Sequence, residues 1–481
     1  MSVLLSLEPK LLWKHFYEIC QRPHCSKHEE LIREYIVNFA KQQGLEYKVD
    51  KAGNVVIKKP ATKGMENKPI VVLQGHMDMV YEKNSDVDHD FFKDPIKMKI
   101  EDDVLTAEGT TLGADNGVGV ATGLALLEDT NINHGPVEAL FTVDEETGLT
   151  GAFAMSNDML KGRIMLNLDS EDWGVITVGC AGGGDSQIKL PIQTQSLPSG
   201  YGGITVKVAG LRGGHSGVDA HEQRGNAIKI LNRLLWKAKQ QHNLILSDIH
   251  GGDKHNAIPR EATATLAVPS SDKDKVQTII KKELDKVQTE IKPIDPGVKV
   301  TISNASVDTV FSKETTETIM NLIHGLPHGV EKMSYDIPDL VETSTNLATV
   351  AVKQDLVQIG LSSRSSIGSA LQDLRDRIRA TAQLAGATVE EDTPYPGWKP
   401  NLQSKLLKIA KQVYKDKYGE EPKVEAIHAG LECGIIGEKF PGMDMISIGP
   451  TIKYPHSPEE QVYISTVEKC YDYVVDILNS I

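Results

Sequence analysis

The chain has 481 residues, which is long enough for two or three domains that each bury a core. Charged residues make up 25% and hydrophobic residues 40%, as in ordinary globular proteins, and the net charge of −14 argues against nucleic acid or a membrane surface as partner. No apolar stretch reaches the roughly 20 residues of a membrane span, and the 5 cysteines are scattered without paired spacing, so we expect a cytoplasmic protein with neither disulfides nor a thiolate zinc site.

The first part of the chain predicts helices that alternate with strands. The predicted elements are, in order, a helix at 27–43, a hairpin at 47–59 that turns at Gly53, an apolar strand from Ile70, a Gly/Ala-rich helix after Gly113, and strands from Val137 and Arg163. Apolar strands separated by helices are typical of a sheet buried between helical layers. The pattern therefore predicts an α/β architecture.

The middle of the chain has a different pattern. Strands at 203–210 and 263–269 alternate apolar and polar residues, and amphipathic helices are predicted at 223–240, 273–289 and 367–385. A Pro/Gly-rich segment at 390–400 follows, and then the first pattern returns with a helix at 401–417, strands at 423–429 and 443–450, and a closing helix from Thr466. We expect a discontinuous catalytic domain, 1–186 and 393–481, interrupted by an inserted α+β lid domain, 187–392.

Imidazole and carboxylate side chains recur where the predicted strands end. In GHMDMV, His76 and Asp78 are two residues apart and project to the same face of a strand. A carboxylate this close can orient a metal-bound imidazole. Alone, the pair is more typical of a purely structural role.

Two further motifs place carboxylates in loops. In TTLGADNGVG, Asp115 precedes a helix, where it could cap the helix or bridge two cations. In DEETG, Glu145 and Glu146 are adjacent after a strand, which is costly unless they are solvated or near cations. One of them could then bind a metal while the other takes a proton from water.

The last two motifs are NLDSED and HSPEE. Asp169 follows another apolar strand, and His456 lies in a Pro-flanked loop near the C-terminus. Open α/β sheets gather their sites at the carboxyl ends of strands, so we expect these side chains to meet. Mixed imidazole and carboxylate ligands without thiolate fit catalytic zinc, cobalt or manganese. Five ligands, one base and one orienting carboxylate would complete a two-metal site.

At these motifs the chain resembles the di-zinc metallopeptidases that include carnosinases, peptidase T, aminoacylases and a desuccinylase. The resemblance implies two Zn²⁺ per subunit, with Co²⁺ or Mn²⁺ as possible substitutes. It assigns the metal ligands to His76, Asp115, Glu146, Asp169 and His456, with Asp115 as the bridge. It further implies that Asp78 orients His76, and that Glu145 is the general base that activates water and then protonates the leaving amine.

The same resemblance extends to the inserted domain and to substrate contacts. In LRGGHSGVDAH, His215 matches the lid histidine that stabilises the oxyanion. Asn256 and Arg364 match positions that would contact the substrate, Arg364 at its carboxylate. Glu432, in HAGLECG, could bind the substrate's free amine. A homodimer is expected, and the sequence leaves open whether His215 serves its own subunit or the partner.

The expected activity is hydrolysis of short unblocked peptides, with Xaa-His dipeptides such as beta-alanyl-histidine as the favoured substrates. An aminoacylase, desuccinylase or carboxypeptidase on the same scaffold is the alternative, because the metal chemistry would be the same. A binding protein without catalytic activity is the other alternative, and the presence of Glu145 with all five candidate ligands argues against it.

Overall fold

A computed structural model describes residues 4–481. The helices are α1 (Lys10–Cys20), α2 (Glu30–Gln43), α3 (Ala114–Glu128), α4 (Thr150–Ala154), α5 (Ala227–Lys239), α6 (Lys273–Ile291), α7 (Lys313–Gly325), α8 (Gly368–Leu384), α9 (Lys405–Tyr418), α10 (Glu432–Lys439) and α11 (Ile464–Ser480), with short 3-10 turns at Leu4–Ser6 and Ala220–Glu222.

The strands of the first half are β1 (Glu46–Val49), β2 (Val55–Lys59), β3 (Val71–His76), β4 (Met98–Glu101), β5 (Val104–Ala107), β6 (Val137–Thr142), β7 (Ile164–Asn167), β8 (Val175–Cys180), β9 (Gly182–Pro191), β10 (Thr194–Ser196) and β11 (Tyr201–Ala209). Those of the second half are β12 (Ile245–Gly251), β13 (Ala262–Pro269), β14 (Lys299–Ala305), β15 (Thr309–Phe311), β16 (Gly329–Met333), β17 (Val341–Lys353), β18 (Leu356–Ser365), β19 (Thr388–Glu391), β20 (Lys423–Ile427), β21 (Asp444–Ser447), β22 (Ile452–Lys453) and β23 (Gln461–Tyr463).

The chain divides into two compact units. The first extends to Cys180 and resumes at Trp398–Ala426 and Leu431–Ile481, and the second comprises Ala181–Gly397 and Ile427–Gly430. No helix in residues 4–481 is both long and apolar enough to cross a bilayer.

An eight-stranded sheet organises the first unit, in the order β1-β2-β6-β3-β7-β21-β8-β20. Its central strand β3 runs parallel to β6 and β7, and β21 runs parallel to β7. All six residues of β3 and of β6 are buried, as expected of central strands with covered faces. Because these strands are parallel, the chain segments that follow them leave at one edge of the sheet.

A smaller sheet in the same unit has the order β22-β23-β5-β4. In it, β23 pairs antiparallel with β5, with Val462 opposite Leu105. Both of these side chains are buried. The small sheet fixes the chain directly after the HSPEE motif.

The second unit is built on a nine-stranded antiparallel sheet. Eight strands follow the order β14-β11-β13-β12-β17-β18-β9-β19, and β16 adds to β17. Burial alternates along the first five residues of β13, as the alternating sequence predicts. One hydrophobic core joins this sheet to α5, α6, α7 and α8.

The unit boundaries differ from the expected domain limits. Ala181 and the start of β9 belong to the second unit, because β9 pairs with β18 along its whole length. Residues 427–430, assigned by the sequence to the catalytic domain, belong there as well. The N–H of Ala181 donates to the carbonyls of Ile427 and Ala429, which ties this short segment to the second unit.

Candidate metal centre and active site

The parallel strands bring the predicted side chains to one edge of the first sheet. His76 ends β3, opposite Thr142 at the end of β6, and the DEETG turn begins two residues after Thr142. Asp169 follows β7 by two residues, and the N–H of Leu168 donates to Gln74 O of β3. Strand order and register therefore gather three of the motifs at this edge.

Asp115 reaches the same place from the start of α3. Gly113, two residues before it, has a left-handed backbone with φ of 72°, which glycine adopts without steric cost. Asn116 donates to the carbonyl of Leu168 at 2.7 Å and so fixes the start of α3 against the chain leaving β7. A Cβ on Gly119 would lie 2.3 Å from Asn116 Oδ1, so this close approach requires glycine.

The carboxylate of Asp115 is shared by two imidazoles. Its Oδ1 lies 3.2 Å from His76 Nε2, and its Oδ2 lies 3.2 Å from His456 Nε2. Asp169 Oδ1 is 3.2 Å from His76 Nε2, and Glu146 Oε1 is 3.0 Å from His456 Nε2. The five predicted ligands thus form two groups, His76–Asp115–Asp169 and Asp115–Glu146–His456, that have Asp115 in common.

The arrangement of the candidate ligand atoms in these two groups is better explained by bound cations than by hydrogen bonds between the side chains. Within each group the candidate atoms lie within 4.8 Å of one another. Glu146 Oε1 and Asp169 Oδ1 are buried and close to imidazole nitrogens, yet neither makes a hydrogen bond. Buried acceptors without donors are costly. A cation in each group would satisfy them with the imidazole and carboxylate donors that catalytic zinc prefers.

The electrostatics agree with this interpretation. Burial alone lowers the pKa of His456, but the carboxylates of Asp115 and Glu146 outweigh it and raise the pKa to about 11. Burial also raises the pKa of Asp169, to about 6, although His76 opposes the shift. Protons and cations therefore compete for these groups, and cation binding should release protons.

Asp78 connects His76 to the DEETG turn. Its Oδ1 lies 3.4 Å from His76 Nδ1, and its two oxygens accept the backbone N–H groups of Glu145 and Glu146 at 3.0 and 3.2 Å. Ser26, which the sequence did not single out, donates to Asp78 at 2.8 Å. Asp78 is thus held where it can orient His76.

Glu145 lies beside the two groups. His76, Glu145 and Glu146 form a third set whose candidate atoms are within 4.8 Å of one another. Burial raises the pKa of Glu145 well above its usual range, and the neighbouring carboxylates Asp169 and Glu146 add to the rise. A carboxylate with a raised pKa is suited to accept and return a proton.

Glu432 is fully buried in the first unit. Its Oε2 accepts hydrogen bonds from Gln74 Nε2 and Thr142 Oγ1, each at 2.6 Å, whereas its Oε1 has no partner. Burial raises its pKa to about 7. One buried oxygen of Glu432 therefore lacks a hydrogen-bond partner.

The other predicted substrate residues lie in the second unit. His215 and Asn256 are adjacent, because Ser216 N–H donates to Asn256 O at 2.8 Å. Arg364 is buried, donates to Tyr395 Oη at 3.0 Å and leaves its Nε without a partner. Burial, followed by the charge of Arg364, lowers the pKa of His215 to about 4, so the ring is neutral at pH 7.

His428 was missed by the sequence analysis, although it opens the HAGLECG motif. It is buried, and its Nε2 lies 2.7 Å from Ser344 Oγ. Burial, followed by the charge of Arg364, lowers its pKa to about 3. A cation at this position would be unfavourable, so a neutral ring is part of the folded state.

We expect His428 to make the protein acid-labile. Because its folded pKa of about 3 lies below the ordinary 6.5, the unfolded chain binds a proton there that the folded chain excludes. Its contribution is therefore intact above pH 6.5 and falls with pH, by up to about 1.4 kcal/mol per unit. Urea unfolding at pH 7 and pH 5 should show a smaller loss in His428→Gln than in wild type. Equal losses would contradict the assignment.

The chemistry available at this edge of the sheet is that of a hydrolase that uses two cations. Residues 72–480 match the model of Peptidase family M20/M25/M40, and the chain belongs to that family. A relative from Escherichia coli (strain K12), the cytosol non-specific dipeptidase, is 40% identical over 482 residues, covering 100% of this chain and 99% of the relative.

Solved structures of other peptidases have the same fold as this chain. The aminoacylhistidine dipeptidase of Vibrio alginolyticus has a TM-score of 0.93 and 43% identity, covering 99% of this chain and 98% of that one. The aminopeptidase PepT of Bacillus cereus, with a TM-score of 0.56 and 18% identity over 98% and 99% of the two chains, shows the same fold. The expected family, fold class and peptidase class are confirmed.

Proposed function

We propose that the chain is a dipeptidase that holds two Zn²⁺ ions and cleaves unblocked dipeptides, Xaa-His dipeptides among them. The main support for this proposal is that two imidazole–carboxylate groups share Asp115 and that Glu145 lies beside them. The names of the Escherichia coli and Vibrio alginolyticus relatives support the substrate class.

The ligand assignment follows the two groups. His76 and Asp169 would hold one ion, Glu146 and His456 the other, and Asp115 would bridge them. When bound, the ions would lower the pKa of a coordinated water toward about 7 and polarise the scissile carbonyl. Asp78 would keep His76 in the tautomer that presents Nε2 to the ion, because Nδ1 can donate to the carbonyl of Asp78 at 3.0 Å and also faces its carboxylate.

Glu145 would carry the proton through the reaction. Its carboxylate takes a proton from the attacking water and returns it to the departing nitrogen. The raised pKa of Glu145 supports this role, since the protonated form must be stable long enough to act as the acid.

His215 is suited to donate a hydrogen bond to the developing oxyanion. The N–H groups of Gly217 and Val218 donate to its Nδ1, at 3.3 and 3.0 Å. A neutral ring with an accepting Nδ1 carries its proton on Nε2, which can then donate. The lowered pKa of His215 supports the neutral form.

We propose that Glu432 and Arg364 recognise the two ends of a dipeptide. Each has a buried polar atom without a partner, Glu432 Oε1 and Arg364 Nε. A carboxylate suits the substrate's free amine, and a guanidinium suits its free carboxylate. Each residue would select for one free end of the substrate, so peptides blocked at that end would be disfavoured.

This end recognition predicts two separate losses of selectivity. Arg364→Lys should reduce kcat/KM for alanyl-histidine by about 10- to 100-fold, with little effect on alanyl-histidinamide, because a charged hydrogen bond is lost. Glu432→Gln should reduce the preference for alanyl-histidine over its N-acetyl form. The ratios of kcat/KM for the three substrates test both, and unchanged ratios in either variant would contradict the role of that residue.

If the chain were instead an aminoacylase or a desuccinylase, the opposite substrate preference is expected. A deacylase accepts a blocked amine, so wild-type enzyme would cleave N-acetyl-alanine and leave alanyl-histidine intact.

We also infer a cytoplasmic location, which the name of the Escherichia coli relative and five free buried cysteines support. A homodimer stays a prediction, and light scattering of the purified protein would test it.

A further inference from the structure

Glu460 is a buried carboxylate that none of the assigned roles uses. It lies four residues after His456 in the HSPEE motif and is 2% exposed. No cationic side chain pairs with it among its hydrogen bonds. A buried carboxylate is costly unless several donors compensate it.

The donors are backbone N–H groups at the start of α3 and just before it. Glu460 Oε2 accepts from Leu112 and Gly113 at 2.7 and 3.0 Å, and Oε1 accepts from Ala114 and Asp115 at 2.8 and 3.2 Å. The first N–H groups of a helix have no partner within the helix, and the helix dipole favours negative charge there. Both oxygens of Glu460 are therefore saturated, and the last of the four amides belongs to Asp115 itself.

The same residue is anchored on its other side. Its carbonyl accepts a hydrogen bond from Thr106 Oγ1 at 2.7 Å, and β23 begins with the next residue. Its N–H donates to Ser457 O at 3.0 Å, which closes the turn that directly follows His456. His456 has a left-handed backbone, with φ of 60°, that needs such support.

We infer that Glu460 is a positioning residue for the candidate metal centre. Its carboxylate holds the backbone of Asp115 close to the turn that directly follows His456. Asp115 and His456 are two candidate ligands that are far apart in sequence. Neither ligand would be placed correctly by its own local structure. This inference rests on the proposed two-cation centre.

The test is zinc binding by metal-free protein, measured by calorimetry. Glu460→Gln keeps the size of the side chain but points an amide at two N–H donors, so zinc affinity should fall by about 10- to 100-fold. Glu459→Gln is the matched control, because Glu459 is the adjacent, exposed glutamate, and it should bind zinc as wild type does.

Glu460→Asp keeps the charge but is one methylene shorter, and it should give an intermediate affinity. If Glu460→Gln does not fold, Glu460→Asp still allows zinc affinity to be measured in a Glu460 variant. Thermal unfolding of the metal-free proteins separates positioning from stability. Wild-type zinc affinity in a folded Glu460 variant, with only a lower Tm, would overturn the inference. Absence of zinc binding in wild type would instead overturn the proposed function.

Discussion

Replacing Glu145 by Gln is expected to reduce kcat by about 10²- to 10⁴-fold while both zinc ions remain bound. The reason is that Gln keeps the size of the side chain but cannot take a proton from water. Glu145 belongs to neither of the two ligand groups that share Asp115. Its replacement should therefore leave zinc affinity close to that of wild type. Steady-state kinetics on alanyl-histidine, together with metal analysis of the same sample, would measure both quantities.

Glu146→Gln is the comparison for this variant. The two glutamates are adjacent, and both lie near His76, but only Glu146 contacts His456, at 3.0 Å. We therefore expect Glu146→Gln to lose zinc at the His456 group, in contrast to Glu145→Gln. Turnover of Glu145→Gln at the wild-type rate, or loss of zinc from both variants alike, would contradict the division of roles.

Asp115→Asn should disrupt both cation sites at once. Each of its two oxygens faces a different imidazole, at 3.2 Å, so an amide there offers nitrogen to one of the two groups and also removes the negative charge. We expect zinc affinity to fall by at least about 100-fold, because the loss of a ligand exceeds the 10- to 100-fold typical of its supporting residues. Hydrolysis should fall below detection.

Variants of the unshared ligands provide the control. His456→Ala removes one member of only one group, and Asp169→Asn removes one member of only the other. Each should retain close to one tightly bound zinc per chain by calorimetry. If Asp115→Asn instead binds two zinc ions with wild-type affinity, Asp115 is not the bridge.

Much of the first unit was predictable because its central strands are continuously apolar. The buried segments that became β3, β6 and β7 have few alternatives to a covered sheet, and parallel strands send His76, Glu146 and Asp169 to one edge. The sequence thus identified residues that the structure brings together, even though each motif alone was ambiguous.

The residues that were missed act through tertiary contacts that have no local signature. Glu460 is hydrogen-bonded to amides more than 340 positions away in sequence. His428 was overlooked because nothing nearby shows that 427–430 leaves the first unit for the second. Glu432 was identified, but its engagement by Gln74 and Thr142 depends on long-range packing of α10. Such contacts are determined by the fold as a whole.

The proposed activity is zinc-dependent hydrolysis of dipeptides that carry a free amine. The most direct test is hydrolysis of beta-alanyl-histidine, alanyl-histidine and N-acetyl-alanine by metal-free protein, with and without added zinc. The proposed function predicts no cleavage without zinc and restored cleavage of the first two substrates only. Zinc-restored cleavage of N-acetyl-alanine alone would contradict the dipeptidase assignment.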